Sequence, residues 1–382
     1  MNKVFCLILA TYLLLAGNFL SYASVSNDQI EIFSLFKALY QDYEDAFDNY
    51  DSDFIEMDKY FVKSEQTDKD KLIIKTVLKR KILMSQMHSL GLEEINKVIN
   101  YKYEIESLDN NIGKMRVFVI KDFNYTFSPN IDSSVGDLYT VTFVRINNKW
   151  LISNIDGFVD TNFKEYLNSI NVDLKDRSSL NEYNDRLDND VKYLYNELLK
   201  RDIENIVTES QPVSNRAVSY NGVGAANYAL QYALNFNSNY YDFTSSGGDC
   251  TNFVSQAIHE GGNLPEHFGT QYDTNSWFYI SGSNRSATWT GANQFGEYVF
   301  STESKINAQL SSFYNIGIGD VIQSLSGTNA YHSYMVTGIQ NSGSSRADLF
   351  ISAHSTNRKN VSFMYYYYNP PYNRFIDILG SK

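Results

Sequence analysis

Two stretches near the start of the chain repeat apolar residues at helical spacing. In residues 29–48 and again in residues 70–90, apolar side chains recur every three or four positions, which is typical of helices with one buried face. The pattern then changes to alternation. Tyr101, Tyr103 and Ile105 fall on one side of an extended chain, and the residues between them are charged. The first half of the chain therefore begins with helices and continues with strands.

Further strand-like segments complete the first half. They lie at about residues 115–127, 137–144 and 149–155. Asn147 and Asn148 are suited to a tight hairpin turn between the last two segments. Helices followed by an antiparallel meander predict an α+β domain over residues 27–160. This order of elements resembles the nuclear-transport-factor-like cone, in which a sheet curves over helices.

The middle and the second half differ in composition. Residues 161–212 are charged and poor in Pro and Gly, and they carry a helical stripe that includes Leu187, Val191 and Leu194, so they predict a bridging helical segment. Near Ser219, Gly, Ser, Asn and Tyr become frequent and charge becomes sparse. We place a second domain at residues 213–382 and expect it to fold alone.

The first residues have the pattern of a secretory leader. A short positive start is followed by an apolar run from Val4 to Leu20, and Ser21-Tyr22-Ala23 supplies small residues where a signal peptidase cleaves. We predict a signal peptide at residues 1–23, secretion or a cell-surface location, and no membrane attachment after cleavage. A retained membrane anchor is the alternative.

The charge balance limits the classes of partner. With 32 Lys and Arg against 44 Asp and Glu, the net charge is −12, which argues against nucleic acid and against electrostatic docking on anionic lipid. The sequence gives no indication of an oligomeric state.

Cleavage of the leader would leave one cysteine. The chain has two, Cys6 and Cys250, and Cys6 lies within the predicted leader. A solitary cysteine in an exported protein forms no intramolecular disulfide, so Cys250 is either buried and inert or retained for chemistry.

The neighbours of Cys250 favour a catalytic role over an inert one. Gly247-Gly248 precede it, and the apolar residues that follow form one face of a helix, so Cys250 lies at or next to the helix N-terminus. The unpaired N–H groups there favour a thiolate and could hold the oxyanion of an acyl intermediate. Asp249 is suited to cap this helix and to shape the loop before it.

Two of the five histidines are candidates for the base. His332 begins one strand-like run and His354 ends the next, and residues 340–348 between the runs have the composition of a hairpin loop. Two adjacent antiparallel strands would bring the two histidines together. One would act as the base for Cys250, and the other would orient its imidazole.

Two other classes of protein compete with a cysteine enzyme. Cys250, His332 and His354 are all ligand types that zinc accepts, although they lack the closely spaced pairs of most zinc sites. A catalytically silent binding module that keeps the fold is the second alternative.

The segment from Asp249 to Gln256, with Gly261-Gly262 after it, resembles the "putative amidase domain" family of exported bacterial proteins. Tyr220, the His332-Ser333 strand and the Ser352-Ala353-His354 strand fit that family too, and the resemblance covers about residues 215–375. The family is similar in its order of elements to the NlpC-type and CHAP-type cell-wall peptidases, which have a papain-like core.

The resemblance implies a papain-like cysteine hydrolase of amide bonds that needs no cofactor and holds no metal. Cys250 would be the nucleophile, His332 the general base and acid, and His354 the orienting group, a role that Asn357 or Asn360 could take instead. Asn252 and Gln256 are supporting candidates that either face the cleft or lie on a solvated helix surface. The implied substrate is a peptide or a peptidoglycan-type amide, with acyl transfer as an alternative reaction.

Overall fold

The computed structural model describes residues 26–88, 90–205, 219–343, 345–366 and 373–382. Eight α-helices lie within these residues, and a π-helical turn, Ala257–Gly261, continues the sixth. The helices are α1 (Asn27–Asp48), α2 (Glu65–Met87), α3 (Thr161–Ser169), α4 (Arg177–Asn205), α5 (Gly222–Tyr232), α6 (Cys250–Gln256), α7 (Ala287–Thr290) and α8 (Ala292–Val299).

The described residues also form twelve strands. The first four are β1 (Glu94–Leu108), β2 (Ile112–Tyr125), β3 (Ser128–Ile146) and β4 (Lys149–Asp156). The others are β5 (Tyr279–Ser281), β6 (Asn284–Arg285), β7 (Ile306–Ser311), β8 (Val321–Ser326), β9 (Asn329–Ser342), β10 (Ser345–Ala353), β11 (Asn357–Ser362) and β12 (Asn373–Ser381). The expected α+β class is confirmed.

Ten of these strands form one antiparallel sheet that runs through both halves of the chain. Its order is β1-β2-β3-β11-β10-β9-β8-β12-β7, and β4 also pairs with β3. The two halves meet where β11 pairs with β3, with Asn357 opposite Gly136 and Lys359 opposite Ser134. β5 and β6 form a separate small hairpin.

The predicted elements of the first half are present. α1 and α2 cover the two helical stretches, and the alternating segments form the meander β1 to β4. Asn147 and Asn148 both have positive φ, 51° and 61°, as a two-residue hairpin turn of type I′ requires, and Ile146 pairs with Lys149 across it. The turn prediction is confirmed. β3 is longer than predicted, because its first residues pair with β2 as well.

Neighbouring residues of the C-terminal strands face two different cores. On β9, Met335 packs with the Cys-bearing helix, whereas Tyr334 and Val336 pack on the opposite face of the sheet. On β8, Val321 and Ile322 divide in the same way. The sheet is therefore covered by helices on both faces in this region.

The predicted bridging segment is helical and supplies one of these covers. Leu187, Val191 and Leu194 of α4 are buried in the same core as Tyr334 and Phe350 of the sheet. The rest of the segment, residues 206–212, lies outside the described residues, as does the predicted boundary at residue 213. The division into two domains stays a prediction, but the sheet and this core cross it.

The predicted leader also lies outside the described residues. Within the described parts of the chain, no helix combines the length and the apolar character needed to span a bilayer.

The shared core leads to a prediction about fragments that differs from the expectation of independent folding. A fragment of residues 213–382 lacks α4 and exposes the apolar side chains of Ile322, Tyr334 and Val336, so we expect it to aggregate or to lack a cooperative unfolding transition. Residues 24–382 should unfold cooperatively under the same conditions. Thermal unfolding followed by circular dichroism compares the two, and a cooperative, monomeric fragment would contradict the prediction.

Candidate functional site

Cys250 is the first residue of α6, as its neighbours predicted. Gly247 and Gly248 have φ values of 103° and 112°, a region that favours glycine, and they turn the chain sharply into the helix. The predicted apolar face is fully buried, from Phe253 to Ile258. The Cys250 side chain itself is only 7% exposed.

Burial raises the pKa of the Cys250 thiol above its usual range. Hydrogen bonds from the backbone N–H of Ser333 and from the hydroxyl and N–H of Thr251 lower the pKa, while the charge of Asp249 raises it further, and burial prevails. The Thr251 hydroxyl lies 3.7 Å from Sγ and 3.0 Å from the Ser333 hydroxyl. The resting site therefore favours the thiol, and a thiolate there needs a base that accepts its proton.

His332 lies near the start of β9 and is 2% exposed. Burial lowers the pKa of its imidazole to about 3, and the positive charge of Arg358 acts in the same direction. Its ring packs edge-on against Tyr334 with 4.5 Å between centroids. Nε2 is buried and has no hydrogen-bond partner among the described residues. The imidazole is therefore neutral near pH 7 and retains a nitrogen that can take a proton.

Cys250 and His332 line the same cleft, which has a volume of about 580 Å³. No hydrogen bond joins them among the described residues, so the thiol and the imidazole share a cavity without forming a preset pair. Catalytic hydrogen bonds are often long in the absence of substrate and shorten in the complex.

His354 does not have the predicted role beside His332. It follows β10 directly, and both of its ring nitrogens are bonded elsewhere: Nδ1 lies 2.7 Å from Oδ2 of Asp249, and Nε2 lies 2.8 Å from the carbonyl oxygen of Tyr232. It therefore has no ring nitrogen left to orient His332. The strands themselves were predicted correctly, since β9 and β10 form an antiparallel hairpin, although its loop is shorter than expected.

The two asparagines named as substitutes for His354 have different positions. Asn357 begins β11 and lines the cleft with Cys250 and His332. Asn360 instead donates its side-chain amide to the carbonyl of Asp132 on β3, at 3.4 Å. Asn357 is therefore the better placed of the two to act on the cleft.

Asp249 is buried and does not cap α6 through its side chain. Besides the contact with His354, its Oδ1 accepts from the backbone N–H of Phe243 and from the side-chain amide of Asn252, both at 2.9 Å. The expected cap is wrong, because the carboxylate points back to the preceding loop. The expected effect on the loop is present.

Asn252 and Gln256 neither line the cleft nor meet solvent. Asn252 is 1% exposed, donates to Asp249 and to the carbonyl of Tyr241, and accepts from the indole N–H of Trp289 at 2.9 Å. Gln256 is 3% exposed and accepts from the Tyr228 hydroxyl at 2.8 Å. Both hold α6 against its neighbours.

The far wall of the cleft comes from the first half of the chain, which the sequence pattern did not indicate. The wall residues lie on β2, on β3 and on the segment before α3. They are Phe118, Gly136, Asp137, Leu138, Gly157, Val159 and Asp160. Asp137 forms a 2.8 Å ion pair with Arg358 of β11. No local motif marks these residues, because they reach the cleft only through the pairing of β3 with β11.

The arrangement does not favour a metal centre. Within the described residues, no three or more His, Cys, Asp or Glu side chains are grouped as a metal ion would require. Both nitrogens of His354 are committed to other partners, so His354 is not available as a ligand beside Cys250 and His332.

Residues 219–376 match the family model described as "Putative amidase domain". The match covers less than half of the chain, and it contains Cys250, His332 and His354. It indicates an amide-cleaving hydrolase domain in this part of the chain.

Two curated proteins of Bacillus subtilis (strain 168) are similar in sequence. "Uncharacterized protein YjcM" is 29% identical over an alignment of 201 residues that covers 46% of this chain and 44% of YjcM. "Uncharacterized protein YhbB" is 29% identical over 115 residues, which are 30% of this chain and 35% of YhbB. The chain thus matches less than half the length of each of these relatives.

The lowered pKa of His332 leads to a prediction about stability. Unfolding restores the pKa of His332 to about 6.5, so between pH 6.5 and 3 the unfolded chain binds a proton that the folded protein does not bind. The free energy of unfolding therefore falls as pH decreases from about 6.5 towards 3. In this window the proton uptake makes the free energy of unfolding fall by about 1.4 kcal/mol per pH unit, and we expect His332→Leu to remove this dependence. Urea unfolding at pH 7, 6 and 5 measures it, and equal slopes in both proteins would contradict the prediction.

Proposed function

We propose that the protein is a cysteine-dependent hydrolase of amide bonds, with Cys250 as nucleophile and His332 as general base and acid. The observation that carries the proposal is the cleft that both side chains line. Cys250 and His332 also lie within the residues that match an amidase family model. A nucleophile and an imidazole whose Nε2 has no hydrogen-bond partner among the described residues are the groups that acyl transfer requires.

The reaction would proceed through a thioester. Sγ of Cys250 attacks the amide carbonyl carbon while His332 takes the thiol proton. The tetrahedral intermediate collapses, the C–N bond breaks, and the leaving amine receives that proton. Water then attacks the thioester and gives a proton to His332, and this proton returns to Sγ as the acid is released.

The start of α6 suits the charge that develops on the substrate oxygen. The first N–H groups of a helix have no intrahelical partner, and here they lie beside the nucleophile. Because the resting thiol and imidazole are both neutral, these two groups would become charged only as the proton moves between them.

The fold of this half supports a papain-like relationship. A cysteine-bearing helix packs on an antiparallel sheet whose strand β9 carries the histidine, in the chain order of the NlpC-type and CHAP-type peptidases. We further propose export through the leader at residues 1–23 and a peptide substrate, with cell-wall peptides favoured by that likeness.

A catalytically silent binding module is the second candidate, and the burial of Cys250 favours it. At 7% exposure and with a raised pKa, an unassisted thiol would react slowly. Labelling of the thiol distinguishes the two candidates without knowledge of the substrate.

We expect Cys250 to be labelled by a neutral electrophile such as iodoacetamide in folded residues 24–382, and labelling to fall at least 10-fold in His332→Gln. The reason is that His332 must accept the thiol proton. Intact-mass spectrometry measures one site only, because Cys250 is the sole cysteine of that chain. Cys250→Ala is the blank, and it should also hydrolyse amides at least 10³-fold more slowly. Wild-type labelling no faster than in His332→Gln would favour the binding module.

A third polar side chain that acts together with Cys250 and His332 can be tested with a matched pair of variants, at Asn357 and at Asn360. We expect Asn357→Ala to lower kcat on the order of 10²-fold, because Asn357 lines the same cleft as Cys250 and His332. Asn360→Gly should leave kcat unchanged, since Asn360 has a φ of 49° that glycine adopts without strain. Steady-state kinetics on a peptide amide substrate compares them, and an Asn357→Ala enzyme with wild-type kcat would exclude this role.

A further inference from the structure

A buried pair of ionisable groups stands directly beside the proposed nucleophile. Asp249 precedes Cys250 and is fully buried, and His354 is 1% exposed. The imidazole lies between Phe253, with ring centroids 4.2 Å apart, and Phe236, at 4.5 Å. Its position is therefore fixed by packing as well as by its two hydrogen bonds.

The partners of the imidazole determine how many protons the pair holds. The carbonyl oxygen of Tyr232 can only accept, so Nε2 of His354 carries a hydrogen. Nδ1 then faces a carboxylate oxygen at 2.7 Å, and a hydrogen bond there needs a second proton. The pair therefore shares one proton more than a neutral imidazole and a carboxylate would hold. Tyr232 ends α5, and the C-terminal end of a helix favours a cation.

The same pair holds the turn that leads into α6. Oδ1 of Asp249 accepts from the backbone of Phe243 at the far end of the loop, and the backbone N–H of Asp249 donates to the Ser355 hydroxyl at 2.5 Å. Gly247 and Gly248 impose little restraint of their own on this loop. The position of Cys250 thus depends on contacts that cross from the loop to the end of β10.

We propose that Asp249 and His354 form a positioning pair that contacts no substrate: the hydrogen bond between them, which in the native protein holds one shared proton, fixes the turn bearing Cys250. This inference rests on the proposed function for its effect on activity. The hydrogen bond and the shared proton are properties of the folded protein and do not depend on any activity. The pair replaces the orienting role beside His332 that the sequence had indicated for His354.

The pair can be tested by a conservative replacement. In Asp249→Asn, Oδ1 keeps its two donors, and the new amide donates to Nδ1 of a neutral imidazole, so both contacts of His354 survive without the extra proton. Asp249→Ala and His354→Phe break the link, and the phenylalanine keeps the stacking on Phe253.

We expect Asp249→Ala and His354→Phe to lower the rate of Cys250 alkylation per folded molecule on the order of 10- to 100-fold, and Asp249→Asn to stay within about 3-fold of wild type. His88→Phe is the matched control. His88 forms another buried contact with a carboxylate, at 3.2 Å from Asp348, but does not line the cleft. It should lower stability and leave alkylation of the folded protein unchanged.

Nitrogen-15 NMR of the His354 ring provides the second measurement, which needs neither a substrate nor a destabilised variant. We expect two protonated ring nitrogens in wild type at pH 7 and one in Asp249→Asn. One protonated nitrogen in wild type would overturn the shared proton. Equal loss of alkylation in Asp249→Asn and Asp249→Ala would show that the carboxylate charge is needed, and would overturn positioning. If these results hold but no amide is cleaved, the proposed function fails and the pair stands.

Discussion

The pairing of β11 with β3 is the constraint on which the rest of the molecule depends. It joins strands more than 200 residues apart, with Arg358 opposite Val135, and the Arg358 guanidinium forms an ion pair with Asp137 beside the joint. The approach is close: a Cβ added at Gly136 would lie 3.4 Å from Cβ of Asn357, the residue opposite it on β11. Without this contact the chain would have two sheets, and the N-terminal half would not reach the cleft.

The same joint determines what the site can be. Asn357 of β11 comes directly after the turn that contains His354. The pairing of β11 with β3 therefore places residues of β3 in the wall of the cleft that Cys250 also lines. Arg358 also adds its positive charge to the burial that lowers the pKa of His332. An interaction between the halves thus influences the protonation of the proposed base, which links the fold to the chemistry.

Local pattern predicted the elements and the hairpins between neighbouring strands well, and it predicted the contacts between distant segments poorly. The helices, the meander, the Asn147-Asn148 turn and the position of Cys250 at a helix start all depend on nearby residues, and the sequence indicates them. The pairing of β3 with β11 depends on shape complementarity between distant segments. The partners of His354 could not be predicted either, since a strand-end histidine has the same sequence pattern whether it faces His332 or the carboxylate of Asp249.

The contrast between the two histidines follows from what faces each ring. His332 is buried, packs against Tyr334 and lies near the cation of Arg358, and its Nε2 has no hydrogen-bond partner among the described residues. Burial and the cation keep the imidazole neutral, and it keeps the capacity to take a proton. His354 lies between two acceptors and already shares a proton with one of them, so it has no lone pair to offer. Two side chains of the same type, one on β9 and one directly after the neighbouring strand β10, thereby differ in role: His332 can move a proton, and His354 can only hold one.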